Sequence, residues 1–218
     1  MTTVLVVIPT YNEVDNISRL IESIRQVLTD SGYAYRILIV DDNSPDGTAE
    51  TVEEIGGDDE RVHLLRRPGK LGLGSAYVDG FTWALSNLPF DFLVQMDADF
   101  SHPPSDLVRL VEAVVEGSDV VVASRYVKDG GSSNWPLHRR LISKVANFLA
   151  HTLLGIGVSD ITSGFKAMNR HAVQELLKYR VNSRGYSYQV ESLAIFKDIG
   201  LKIIEVPFVF ETRIAGEA

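Results

Sequence analysis

Two aspartates one residue apart, Asp97-Ala98-Asp99, follow directly on the apolar run Phe92–Met96. Carboxylates that close repel each other, and a hard divalent cation with oxygen ligands is a direct relief. Mg2+ or Mn2+ held by Asp97 and Asp99 keeps positions open for phosphate oxygens, so it can bridge a diphosphate and stabilise it as a leaving group. The rival chemistry is a glycosidase acid–base pair. Its carboxyls stand about 5–10 Å apart across a substrate, often on different strands, which acids at i, i+2 fit less well. Two further polar clusters end apolar runs: Pro9-Thr10-Tyr11-Asn12-Glu13 and Asp41-Asp42-Asn43-Ser44-Pro45-Asp46-Gly47. Turn formation and helix capping account well for Pro45, Asp46 and Gly47, but poorly for the Asp97 and Asp99 pair. Arg125, just past another apolar run, can meet an anion bidentately; the bland reading makes it a surface arginine pairing with one of many acids.

The familiar phosphate cradles are missing. Gly72-Leu73-Gly74-Ser75-Ala76-Tyr77 begins like a dinucleotide fingerprint, but it has Tyr at the last glycine place and does not follow the first strand. Gly69-Lys70 lacks both the upstream Gly and the following Ser or Thr of a P-loop. Diphosphate handling therefore falls to a cation and basic side chains. The five histidines form no pair at metal-binding spacing.

These residues need elements to position them. Short apolar runs at Val4–Ile8, Ile37–Val40, Val62–Leu65, Phe92–Met96 and Val120–Ala123 read as strands buried on both faces. Between them, Ile17, Leu20, Ile21, Ile24, Val27 and Leu28 draw one helical stripe, started by Asp15 or Asn16 and stopped at Ser31-Gly32. A second helix is expected from about Gly74 to Leu88 and a third from Pro103 to Val115, with Pro in the first turn. Strands alternating with helices predict an α/β fold with a doubly wound, mostly parallel sheet. In such sheets the ligand crevice lies beyond the carboxyl ends of the strands, where the polar clusters fall. After a mobile Lys128–Asn134 loop come a helix from about His138 to Leu154, a loop through Asp160–Phe165, a helical stretch from Arg170 and a β-rich Lys202–Glu211. This C-terminal third is expected to pack onto the open sheet.

The 218 residues fit one domain, and 45% hydrophobic with 23% charged residues excludes a largely disordered chain. The absence of Cys excludes a disulfide framework, thiolate metal sites and a Cys nucleophile. A net charge of −8 argues against nucleic acid as a partner, since the field of the whole chain repels phosphate backbones. No run approaches the roughly 18–20 apolar residues of a membrane span, and Met1-Thr2-Thr3 lacks the basic flank of a secretory signal. The expectation is a soluble chain with an intact N-terminus. His138-Arg139-Arg140-Leu141-Ile142-Ser143-Lys144 opens a basic amphipathic helix in an acidic protein. Such a helix either faces lipid headgroups or packs its apolar side on the core with its charges solvated; nearby Trp135 favours the first.

Five blocks taken together carry a resemblance. They are Ile8-Pro9-Thr10-Tyr11-Asn12-Glu13, Val40-Asp41-Asp42-Asn43-Ser44-Pro45-Asp46-Gly47-Thr48, Met96-Asp97-Ala98-Asp99 with His102-Pro103-Pro104, Ser124-Arg125-Tyr126, and Asp160-Ile161-Thr162-Ser163-Gly164-Phe165-Lys166. In order and spacing they resemble the polyprenol-phosphate mannose synthases, a group within the family 2 inverting glycosyltransferases. The resemblance implies a glycosyltransferase A-type fold and metal-dependent transfer of mannose from GDP-mannose to a polyprenyl (dolichyl-type) phosphate. It places Pro9, Tyr11, Glu13, Val40 and Asp42 on the guanosine part, Asp97, Ala98 and Asp99 on the diphosphate, and Asp97 and Asp99 on the metal. Arg125 and Arg213 would meet phosphates, and Arg139 with Arg125 the acceptor phosphate. Residues 1–125 would form the nucleotide-sugar and metal half of a single catalytic domain, and 126–218 the acceptor part. The implied location is the cytosolic face of a membrane, reached peripherally or through a membrane-embedded anchoring partner. Two places depart from the family pattern: Ser101 stands where Gln is common, and Arg213-Ile214-Ala215-Gly216-Glu217-Ala218 lacks the terminal Ser-Lys. A related polyprenyl-phosphate transferase using UDP-glucose or another sugar nucleotide, or a catalytically silent nucleotide-sugar-binding module, remains open on the residues alone.

Overall fold

The computed structural model describes residues 1–133, 147, 155–181, 183, 185 and 187–211. The apolar runs become strands β1 (Thr3–Thr10), β2 (Ala34–Asp41), β3 (Val62–Arg66), β4 (Phe92–Gln95) and β5 (Val120–Ser124). Side chains alternate across a strand, and here the alternation feeds two separate cores. Val4, Val6 and Ile8 of β1 face one core, where the stripe of α1 (Val14–Asp30) and the apolar side of α4 (Leu107–Val115) cover them. Leu5 and Val7 face the other, under α3 (Leu73–Asn87). That two-sided burial is why the strands read as continuous apolar runs. Gly80 lets α3 lie close on the sheet: a Cβ there would stand 2.8 Å from Val40 Cγ2 and 3.1 Å from Val7 Cγ1.

One seven-stranded sheet runs in the order β3-β2-β1-β4-β7-β5-β8. The pairs β1–β2, β2–β3, β1–β4 and β5–β8 are parallel, whereas β7 (Lys166–Asn169) is antiparallel to both β4 and β5. The C-terminal third packs onto the sheet, as Val173, Leu176 and Phe196 in the second core show, and it also enters it: β7 is inserted between β4 and β5 and β8 (Ile203–Pro207) forms the edge. β7 escapes a pattern reading because it is four residues long and begins with a lysine. A second, two-stranded sheet pairs β6 (Gly131–Ser132) with β9 (Val209–Phe210).

Helix α2 (Thr48–Asp58) also escapes, since it buries only Thr48, Ala49 and Val52. A 3-10 turn, Pro104–Asp106, leads into α4, as the proline implies. Helix α1 starts at Val14, before the Asp15 or Asn16 expected to start it. Glu13 stands at the cap, and the free N–H groups of its entry are met from a distant loop. The Val14 N–H donates to Asp46 Oδ2 at 3.0 Å and the Glu13 N–H to Thr48 Oγ1 at 2.9 Å. Helices α5 (Arg170–Leu176) and α6 (Ser187–Asp198) complete the described elements. No helix among the described residues is long and apolar enough to cross a membrane. The segment expected to form the basic helix, with Trp135 and Arg139, lies outside the described residues, as does Arg213.

Candidate active site

β1 and β2 end side by side, with Pro9 opposite Val40 and Thr10 opposite Asp41. This brings the loops after both strands together: the Asp42 N–H donates to Thr10 O at 3.0 Å and the Asn12 N–H to Ser44 Oγ at 3.0 Å. Of the two adjacent aspartates, Asp41 is committed to the loop itself. It accepts from Thr10 Oγ1 at 3.0 Å, Ser44 Oγ at 2.6 Å and Ser44 N at 2.8 Å. Asp42 turns the other way, to Arg67 Nη1 and the Leu71 N–H. Burial pushes its carboxyl above the usual range, and the Arg67 charge only partly opposes that. Glu13 is buried and accepts from Asn16 Nδ2 at 2.7 Å, while Tyr11 lies 4.4 Å under Lys70 Nζ. Val40 is fully buried against α3, so only its backbone lies on this rim.

Arg67 is a residue that pattern reading missed. It stands one step past the end of β3, on the same rim, and is nearly buried. Besides Asp42 it meets Ser75 Oγ at 2.6 Å and Asp79 Oδ2 at 3.0 Å, tying the β2 loop to α3. Its position at a strand end was the available signal. The near-fingerprint glycines serve packing instead. A Cβ on Gly74 would come within 2.2 Å of Ser183 O, and Gly72 has φ +103.

The Asp97-Ala98-Asp99 turn follows β4, which ends at Gln95, so strand alternation does not place these two side chains. The turn places them, and His102 braces its start. The Asp97 N–H donates to His102 Nδ1 at 2.9 Å, which puts the neutral ring's proton on Nε2, 3.8 Å from Asp97 Oδ2. Burial lowers the His102 pKa despite both Asp97 and Asp99, so the ring stays neutral. It stacks on Phe165 with centroids 4.9 Å apart, with Phe208 and Phe210 edge-on. Asp97 is about a third exposed, at 32%, whereas Asp99 is buried and accepts the Ser101 N–H at 3.0 Å. Both carboxylates raise the pKa of Tyr77 beyond what burial does.

These donors fit a hard cation. Two carboxylates share one turn, and Ser101 Oγ on that turn is buried without a hydrogen-bond partner. Among the described residues no cluster of three or more His, Cys, Asp or Glu could hold a metal. A pair of carboxylates suits Mg2+ or Mn2+, which keep waters and phosphate oxygens as their other ligands.

Arg125 follows β5 and is not a loose surface group. Asp160 takes Nε at 2.7 Å, Nη2 at 2.6 Å and the Arg125 N–H at 2.9 Å, and Thr162 Oγ1 takes Nη2 at 2.8 Å. Burial alone would lower the guanidinium pKa, but the hydrogen bonds and charge of Asp160 hold it above the usual value. Arg125 and Asp160 thus make a rigid, net-neutral pair. Beneath the rim, Lys166 is fully buried and donates to Gln189 Oε1 at 2.6 Å, Gln189 O at 3.2 Å and Ser192 Oγ at 3.3 Å. Gln95 Nε2 also donates to Gln189 Oε1, at 2.9 Å.

Paired strand ends, a carboxylate turn and the buried Arg125–Asp160 pair thus share one rim of an α/β sheet. The sequence profile described as Glycosyl transferase family 2 matches residues 5–177, and the chain belongs to that family of glycosyltransferases. It is 40% identical over 213 residues to "Polyprenol monophosphomannose synthase" of Mycolicibacterium smegmatis, covering 97% of this chain and 78% of that protein. It is 39% identical over 215 residues to "Undecaprenyl-phosphate mannosyltransferase" of Micrococcus luteus, covering 99% and 86%. Among solved structures, mannosyl-3-phosphoglycerate synthase from Rubrobacter xylanophilus superposes with TM-score 0.73 at 22% identity, over 100% of this chain and 68% of that one. Glucosyl-3-phosphoglycerate synthase from Mycobacterium tuberculosis, solved with Mn2+, UDP and glucosyl-3-phosphoglycerate, gives 0.68 at 24%, over 100% and 73%. These neighbours establish the glycosyltransferase A-type fold.

Proposed function

We propose that this enzyme transfers mannose from GDP-mannose to a polyprenyl monophosphate, with inversion at C1, and that it uses Mg2+ or Mn2+. Identity near 40% over almost the whole chain to two proteins named for mannosyl transfer onto polyprenyl phosphates carries this reading. The rim supports it. Asp42, Glu13, Tyr11 and the Pro9 and Val40 backbones receive the nucleoside, with Arg67 fixing Asp42. Asp97 and Asp99 hold the cation beside Ala98, and Ser101 Oγ lies within the same turn. When bound, the cation neutralises charge on the departing diphosphate.

A phosphate monoester is already anionic near neutral pH, so the acceptor needs no strong general base. One of its oxygens attacks the sugar C1 as the bond from C1 to the GDP oxygen breaks, which gives a β-mannosyl phosphate and GDP. The protein's part is positioning and charge. Arg125, rigid on Asp160, orients a phosphate next to the sugar, with Arg139 as the second cation on the acceptor and Arg213 on the donor. The lipid acceptor requires a membrane surface, and His138-Arg139-Arg140 is the segment assigned to meet its headgroups from the cytosolic side.

The test is release of nucleoside diphosphate from GDP-mannose and UDP-glucose, each with short and long polyprenyl phosphates, with and without Mn2+. GDP release that needs both the lipid phosphate and the metal is expected. Preference for UDP-glucose, or release indifferent to the lipid, overturns the proposal.

A further inference from the structure

The loops on the rim fall in the order of the sheet: nucleoside residues after β2 and β1, the Asp97–Asp99 turn after β4, Arg125 after β5. Between β4 and β5 runs β7 in the opposite direction, so its N-terminal end, at Gly164 and Phe165, reaches this rim. A sugar passing from a diphosphate at β4 to a phosphate at β5 lies over that point. Gly164 offers no side chain there. A Cβ would stand 3.3 Å from Gln189 Nε2, 3.3 Å from His102 Cε1 and 3.6 Å from Asp97 Oδ1, so the bare backbone is a floor edged by those three groups.

Gln189 is 1% exposed, in the first turn of α6. Gln95 Nε2, placed by its own bond to Gly164 O at 3.0 Å, donates to Gln189 Oε1 at 2.9 Å, and Lys166 Nζ lies 2.6 Å from the same atom, which fixes that end of the carboxamide as oxygen. The nitrogen is thereby turned toward Gly164, and it has no hydrogen-bond partner among the described residues. A buried N–H2 left unpaired is costly, and an acceptor brought by a ligand relieves that cost.

We infer that Gln189 is a donor-sugar contact: its Nε2 donates to a hydroxyl of the transferred sugar above Gly164. Lys166 and Gln95 are positioning residues that hold the carboxamide in that orientation. The inference rests on the proposed function for where the sugar lies, and it adds a subsite that reads the sugar separately from the nucleotide.

Titration calorimetry with Mn2+ compares GDP-mannose with GDP, and UDP-glucose with UDP, on wild type, Gln189→Met and Gly164→Ala, each confirmed folded by its melting curve. Gln189→Met keeps the volume and loses the donor, whereas Gly164→Ala fills the floor and removes no hydrogen-bonding group. Each variant should bind the sugar nucleotide about five- to tenfold more weakly with the free nucleotide unchanged. Lys166→Met should show the same split, smaller. Equal weakening of sugar nucleotide and free nucleotide, or no weakening in either variant, overturns the inference. If wild type binds only the uridine pair, the donor assignment fails, and Gln189 is judged by the same ratio from UDP-glucose and UDP.

Discussion

Replacing Lys166 by methionine should make the protein more stable and less able to hold its sugar donor. Lys166 is wholly buried, its ammonium rests on three neutral acceptors, and no carboxylate pairs with it among the described residues. Burial pulls its pKa from an ordinary 10.5 to about 7. In the unfolded chain the amine keeps its proton up to about pH 10.5, while the folded protein sheds it from about pH 7 upward. The unfolded state therefore binds more protons across that window, and wild-type stability rises with pH through it. At about 1.4 kcal/mol per pKa unit, the buried charge costs roughly 4 kcal/mol at pH 7. Methionine removes that cost and loses three hydrogen bonds worth about 1 kcal/mol each, leaving the variant about 1 kcal/mol more stable at pH 7. Between pH 7 and pH 9 wild type should recover about 2 kcal/mol that the variant has no means to gain. Urea denaturation of both proteins at the two pH values measures this, with the slopes checked for equality. A stability difference that stays constant from pH 7 to pH 9 refutes the reasoning, because it would mean the buried amine titrates where an exposed one does.

Three other perturbations test the rest of the rim. Arg67→Ala strands the Asp42 carboxylate in a buried place; it should cost about 3 kcal/mol in melting experiments and weaken GDP about tenfold by calorimetry. Asp160→Asn removes the carboxylate that balances the Arg125 charge, so a loss of about 3 kcal/mol is expected together with a raised KM for the lipid phosphate. The double change Arg125→Met with Asp160→Leu should regain most of that stability and none of the turnover. Asp97→Ala should abolish Mn2+ binding by calorimetry and lower turnover by roughly 100-fold or more; undiminished, EDTA-resistant activity in this variant would contradict the metal role.

The strands and their parallel character were legible because two-sided burial writes itself as uninterrupted Val, Ile and Leu, a local signal carried by β1, β2 and β5. The polar blocks were legible for a related reason. Chain leaving the carboxyl end of a buried strand has no core to enter, so Thr10–Glu13, Asp41–Gly47 and Asp97–Asp99 stand out against the apolar runs before them. What each aspartate does was not legible. Asp41 and Asp42 are neighbours, yet one braces its own loop while the other holds Arg67, 25 residues away. Arg125 could be read as an anion-binding group or as an arginine pairing with one of many acids, and only the return of the chain shows that the acid is Asp160.

Residue type and periodicity alone decided the α/β class, the rim on which the polar clusters fall and the carboxylate turn suited to a divalent cation. Tertiary structure alone decided that β7 enters the sheet backwards between β4 and β5. That placement sets Gly164 against both Gln189 and Asp97. The cause is physical: a short strand opening on a buried lysine has no apolar period of its own. Lys166 is tolerated there only because Gln189 and Ser192, on a helix more than twenty residues further along, supply its acceptors.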